Sequence, residues 1–99
     1  MASRTLLHVD DNPDELFLFQ KACSQASVTF HLQSVRSGKE AMEYIQGTGP
    51  YSDRSKFPVP DLILLDLKMP APNGFDVLRW IRGHPEFERL AVCILTSSF

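Results

Sequence analysis

Asp66 closes a run of four apolar residues, Leu62-Ile63-Leu64-Leu65, and is followed by Leu67-Lys68-Met69-Pro70. A run of that length between Pro60 and Pro70 predicts a short strand buried on both faces, the kind found in parallel sheets. In open sheets of that type, ligands and chemistry gather just beyond the carboxyl ends of the strands. Two other segments end in polar groups in the same way. Thr5-Leu6-Leu7-His8-Val9 runs into Asp10 and Asp11, and the stretch from Leu90 to Leu95 finishes at Thr96. A parallel sheet brings those ends to one edge. Three carboxylates in one crevice repel one another, and a divalent cation is the usual remedy. All-oxygen ligation with few protein groups suits Mg²⁺, which keeps several waters and binds alongside phosphate oxygens. With a hydroxyl at Thr96 able to donate to a phosphoryl oxygen, the set predicts phosphoryl transfer onto a carboxylate nucleophile, Asp66. The bland alternative for Asp10 and Asp11 is a helix-capping pair ahead of Pro13.

The elements that must hold these groups follow from the pattern. After the first strand, Pro13 opens a helix expected from about Asp14 to Ala26, with Asp14 and Glu15 favourably placed in its first turn. Leu16, Phe19 and Cys23 form its apolar stripe, widened by Phe17 and Leu18. Alternating Val28, Phe30 and Leu32 predict a second strand ending at Val35, with one wetter face, as at a sheet edge. Ser37-Gly38-Lys39-Glu40 begins a second helix that ends near Gln46. A long polar loop, 47–60, follows; it carries no recognisable chemistry and is expected to be a tolerated surface insertion. Asn73-Gly74 starts a third helix carrying Phe75, Val77, Leu78, Trp80 and Ile81, and Leu90 to Leu95 forms a fourth, buried strand. The order β-α-β-α-β-α-β implies an α/β fold with a parallel sheet and right-handed crossovers.

Ninety-nine residues make one domain, 1–99. A net charge of −2 with no basic run gives nucleic-acid binding no electrostatic support. No stretch reaches transmembrane length and no signal peptide is evident, so the expected location is the cytoplasm, without a membrane partner. Cys23 and Cys93 are expected to be buried free thiols. His8, His31 and His84 show no zinc-ligand spacing; His8 is expected to be a packed or pH-sensitive strand residue near the site. Trp80 and the phenylalanines are expected in the core.

Over nearly its whole length the chain resembles the receiver domain of two-component response regulators. The resemblance is carried by Leu7-His8-Val9-Asp10-Asp11-Asn12, by Leu64-Leu65-Asp66-Leu67-Lys68-Met69-Pro70 with Asn73-Gly74, and by Ile94-Leu95-Thr96-Ser97. The loop before the third strand is similar to that of single-domain receivers encoded beside bacterial phytochromes. The resemblance implies a flavodoxin-like fold, with Asp66 as phosphoacceptor from a sensor histidine kinase or phosphotransfer protein. It makes Asp11 the principal Mg²⁺ ligand, with Asp10 helping largely through water. It assigns a third ligand to the backbone carbonyl of Lys68 and the phosphoryl-binding switch to Thr96. Such a domain assists its own phosphorylation and is not a turnover enzyme.

A receiver continues past the fourth strand with a helix, a fifth strand ending in a lysine, and a last helix. This sequence stops at Phe99, so the expectation is an incomplete sheet of order 2-1-3-4, truncated after the fourth strand, with no catalytic lysine and impaired chemistry. Lys68 does not substitute for it by position. If about 400 Å² of apolar surface is left open, the loss is on the order of 10 kcal/mol. That predicts a homodimer burying the fourth strand and the uncovered face. The rival functions are an interaction or dimerisation module without phosphotransfer and, less well supported, a phosphohydrolase, for which the adjacent pair Asp10-Asp11 lacks the usual Asp-x-Asp spacing.

Overall fold

Apolar runs broken by turn residues lead to four strands, β1 (Arg4–Val9), β2 (Phe30–Val35), β3 (Leu62–Asp66) and β4 (Ala91–Leu95). They alternate with helices α1 (Pro13–Gln25), α2 (Gly38–Gln46) and α3 (Gly74–Arg82). The computed structural model describes residues 4–26 and 30–95. All strand pairs are parallel and the sheet order is β2-β1-β3-β4, the flavodoxin-like arrangement expected from the sequence. β2 is an edge strand as expected; Val28, assigned to it from the sequence, lies outside the described residues. In the centre, Val9 stands opposite Leu65. The residues that follow them, Asp10 and Asp66, therefore emerge side by side at the carboxyl edge.

Alternation along the strands sends side chains to two different environments. Leu7, Val9, Ile63 and Leu65 are fully buried against Ala41, Tyr44 and Ile45 of α2 and Val77 and Ile81 of α3. The opposite face, carrying Leu6 and His8, meets α1, which buries only Leu16. Phe17 and Leu18 are 60% and 58% exposed, so the wide stripe read from the sequence is corrected to a narrow one. Periodicity identifies residues that share a side of a helix; it does not say how much of that side another element covers. Phe75 is exposed as well, and Trp80 is half-buried, packed between His84 and Phe87 rather than deep in the core.

β4 departs furthest from expectation. Ala91, Cys93 and Leu95 are exposed and Val92 and Ile94 only half-buried, because among the described residues nothing lies against its outer edge or its Cys93 face. The two cysteines are free as expected, but neither is buried: Cys23 is half-buried and Cys93 exposed.

The 47–60 loop is an ordered brace. Gly47 ends α2 in the left-handed region (φ 72°), a conformation that costs glycine nothing. The Arg54 guanidinium then reaches back and donates to the carbonyls of Tyr44 (2.9 Å), Ile45 (2.7 Å) and Phe57 (3.1 Å). Tyr44, Tyr51 and Phe57 pack with ring centroids 5.1–6.0 Å apart. The buried Tyr44 hydroxyl donates to the carbonyl of Pro58 at 2.9 Å.

Burial pushes the Tyr44 hydroxyl up from 10.0 to about 12; Arg54 opposes the rise and Tyr51 adds to it. Its folded-state pKa lies above the unfolded one. The associated stability is therefore complete below pH 10 and is lost as pH rises from about 10 to 12, roughly 3 kcal/mol in all. Tyr44→Phe should cost about 1 kcal/mol near neutrality through the lost hydrogen bond. Above about pH 11 the order should reverse, with the variant the more stable protein, because by then the loss exceeds that 1 kcal/mol. Urea unfolding from pH 8 to 12 checks this; a constant difference across the range would contradict it.

Candidate functional site

The carboxyl edge of the sheet gathers three carboxylates. Single oxygens of Asp10, Asp11 and Asp66 all lie within 4.8 Å of one another. Asp10 and Asp66 are buried, whereas Asp11 is exposed at the mouth. Each buried carboxylate ties one oxygen to its own turn. Asp10 Oδ1 accepts from the amide of Asn12 at 3.0 Å, and Asp66 Oδ1 accepts from the amide of Lys68 at 3.1 Å. Their Oδ2 atoms accept no hydrogen bond among the described residues.

Neither Asp10 nor Asp11 caps α1. That role belongs to Asn12, whose side-chain oxygen accepts from the Asp14 amide at 2.9 Å, with Pro13 at the first helical position. The capping alternative is thereby corrected, and both aspartates are left facing the cleft. Burial raises the Asp10 pKa above the ordinary carboxylate value. The Asn12 amide opposes this, while the charges of Asp66, Asp11 and Glu15 add to it. Two buried acids and one exposed acid, all hard oxygen donors within a few ångströms, fit a divalent cation of the Mg²⁺ or Mn²⁺ kind.

The cleft above them is open, about 610 Å³ in volume, and is walled by Glu15, Leu18, Phe19, Lys68 and Leu95 as well as the three acids. Lys68 is exposed at its rim, its amide committed to Asp66. β4 reaches this level, with Leu95 opposite Asp66 and its carbonyl accepting from the Leu67 amide at 3.2 Å. Thr96, the next residue, lies outside the described residues.

Two glycines fix the acceptor loop by contact with main chain. A Cβ on Gly74, the first residue of α3, would stand 2.6 Å from the carbonyl oxygen of Asp66. A Cβ on Gly38, at the start of α2, would overlap the Pro72 carbonyl oxygen. The α3 start is itself closed by a reciprocal cap between Asn73 and Asp76 (2.9 and 3.0 Å).

His8 lies beneath the acids. It is 3% exposed, its ring packs on Phe19 with centroids 4.6 Å apart, and its Nε2 is 3.9 Å from Asp10 Oδ2. Burial lowers its pKa, against the raising effect of the Asp66 and Glu15 carboxylates. The sequence placed His8 near the site correctly. It did not single out Asn12, whose Asn-Pro order before a helix is the signal that could have found the cap.

A family model described as "Response regulator receiver domain" matches residues 6–98. Response regulator Rcp1 of Synechocystis sp. is 34% identical over 95 residues, covering 96% of this chain but 63% of Rcp1. The chain thus spans less than two thirds of that relative's length. The crystal structure of the Mn²⁺-bound form of Rcp1 aligns with a TM-score of 0.83 at 34% identity, covering 96% of this chain and 66% of the other. That of the phosphorylated cyanobacterial phytochrome response regulator RcpA gives 0.85 at 36% identity, covering 99% and 68%. The bacteriophytochrome response regulator AtBRR gives 0.89 at 35% identity, covering 99% and 69%.

Proposed function

The chain belongs to the response regulator receiver domain family, and from that membership we propose that it accepts a phosphoryl group on Asp66 during two-component signalling. The convergence of Asp10, Asp11 and Asp66, with Asp66 Oδ2 left untied among the described residues, carries this reading. Asp66 Oδ2 attacks the phosphorus of a phosphohistidine on a sensor kinase or phosphotransfer protein. A P–O bond forms, the P–N bond breaks, and the imidazole nitrogen keeps the electron pair and takes up a proton.

Asp11, Asp10 and Asp66, with the backbone carbonyl of Lys68, would hold Mg²⁺. When bound, the cation neutralises charge on the transferring group and on the crowded acids. Thr96 is the proposed donor to the phosphoryl group and the switch residue. The Lys68 amide fixes the Asp66 side chain so that one oxygen faces the cleft, and Gly74 sets the acceptor's backbone position. The structure of RcpA, similar to this chain, is of the phosphorylated protein and that of Rcp1 is of its Mn²⁺-bound form, which supports both parts of the reading. In this reading residues 1–99 act as a single cytoplasmic receiver domain that is a phosphoacceptor rather than a turnover enzyme. Among the described residues no helix is long and apolar enough to cross a membrane. Intact mass after incubation with Mg²⁺ and acetyl phosphate tests the proposal: one added phosphoryl group is expected, and none when a chelator replaces the metal.

A second feature supports self-association of the 99-residue chain. Leu62 and Leu95 are each 37% exposed on the same face as Cys93, beside the edge of β4 that pairs with no strand among the described residues. Pairing of two copies through this face and edge would cover both. Light scattering over a dilution series should show a dimer giving way to monomer; a monomer mass at every concentration would end this reading.

A further inference from the structure

His8 occupies a position where an imidazole is costly. It lies on a central strand, is 97% buried, and its Nδ1 has no hydrogen-bond partner among the described residues. A buried polar atom left unpaired costs about 1–3 kcal/mol, and a leucine would fill the same space without that cost. Packing alone therefore does not account for a histidine here. The other ring nitrogen supplies a reason. His8 is the penultimate residue of β1 and Asp10 the first residue past its end, two positions on, and the two side chains approach each other on one side of the sheet. Asp10 Oδ1 is already held by the Asn12 amide, and Nε2 faces the remaining oxygen, Oδ2, at 3.9 Å. Phe19, packed on the ring at 4.6 Å, limits how far the imidazole can turn away.

We propose that His8 is a positioning residue for the cation site: its Nε2–H restrains the Asp10 carboxylate so that Oδ2 is presented toward Asp11 and Asp66. The inference rests on the metal reading given under Proposed function and adds a residue to it. At 3.9 Å the contact is too long for a hydrogen bond, and the proposal requires the ring or the carboxylate to turn until the two atoms meet. Partners that orient a metal-binding group in this way are typically worth 10- to 100-fold in metal affinity.

The test is Mn²⁺ binding to the full chain, followed by isothermal titration calorimetry, with folding of each variant checked by circular dichroism. His8→Leu should bind Mn²⁺ about 10-fold more weakly than the wild type. His8→Gln, whose amide nitrogen can reach Asp10 as Nε2 does, should stay within about 3-fold. In an Asp10→Asn background, His8→Leu should change affinity by less than about 2-fold, since its route to the metal is already cut. Should His8→Leu not fold, His8→Asn, too short to reach Oδ2, takes its place against His8→Gln. Unchanged affinity in His8→Leu overturns the proposal. So does an equal loss in the Leu and Gln variants, or an undiminished effect in the Asp10→Asn background. No Mn²⁺ binding by the wild type removes the metal reading itself, and this inference with it.

Discussion

Asp66→Asn should yield a folded protein that gains no phosphoryl group from acetyl phosphate, under conditions where the wild type gains one. The loss should be complete, because a carboxamide oxygen carries no negative charge and cannot serve as the attacking group. The fold should tolerate the change for a reason visible in the site. The asparagine carbonyl can still accept from the Lys68 amide, and the Gly74 contact involves only the backbone of residue 66. Three acids clustered within 4.8 Å repel one another, and removing one charge relieves that repulsion. Without metal the variant should therefore be at least as stable as the wild type, gaining on the order of 1 kcal/mol. Intact mass and thermal unfolding, with and without Mg²⁺, read both halves. An adduct that persists in the variant would place the acceptor on another side chain.

The second large effect is expected far from the chemistry. Arg54→Ala should destabilise the chain by about 3 kcal/mol, since one guanidinium donates to three carbonyls. Two of these belong to the last turn of α2, which has no basic residue of its own to meet the negative end of the helix dipole. Arg54→Lys should recover less than half of the loss, because an ammonium is a point donor and cannot span carbonyls on both sides. Gly47 belongs to the same device: a Cβ there would stand 2.6 Å from an Arg54 nitrogen. Urea unfolding at neutral pH measures the change, and a loss under about 1 kcal/mol would reduce the loop to a passive insertion.

That brace was illegible in the sequence for a physical reason. A side chain that bonds carbonyls 9 and 10 residues earlier leaves no periodicity, and arginine in a polar loop looks like solvated charge. What could be read was whatever a parallel sheet imposes on its own. Four apolar runs fixed the strand order's raw material, and Asp10, Asp11 and Asp66 had to meet once those strands lay parallel. The errors at Phe17, Leu18, Cys93 and Leu95 share a cause. Each was inferred to be buried from its own polarity and spacing, yet burial depends on what another element lays over it. Asn12 shows the converse, a cap overlooked because the adjacent acids drew the chemistry to themselves. Thr96, the remaining site residue read from the sequence, lies outside the described residues.

The glycine contacts at the acceptor loop have a mechanical consequence. Asp66 and the start of α3, and Pro72 and the start of α2, approach so closely that a Cβ on either glycine would overlap a carbonyl oxygen, with Leu67, Pro72 and Val77 side chains beside them. Joints that tight leave little room to absorb a displacement. A shift of the acceptor backbone would therefore press first on the start of α3, beside Phe75, whose ring stands in solvent one residue past the contact. The acceptor loop and the first turn of α3 are thus coupled by direct contact.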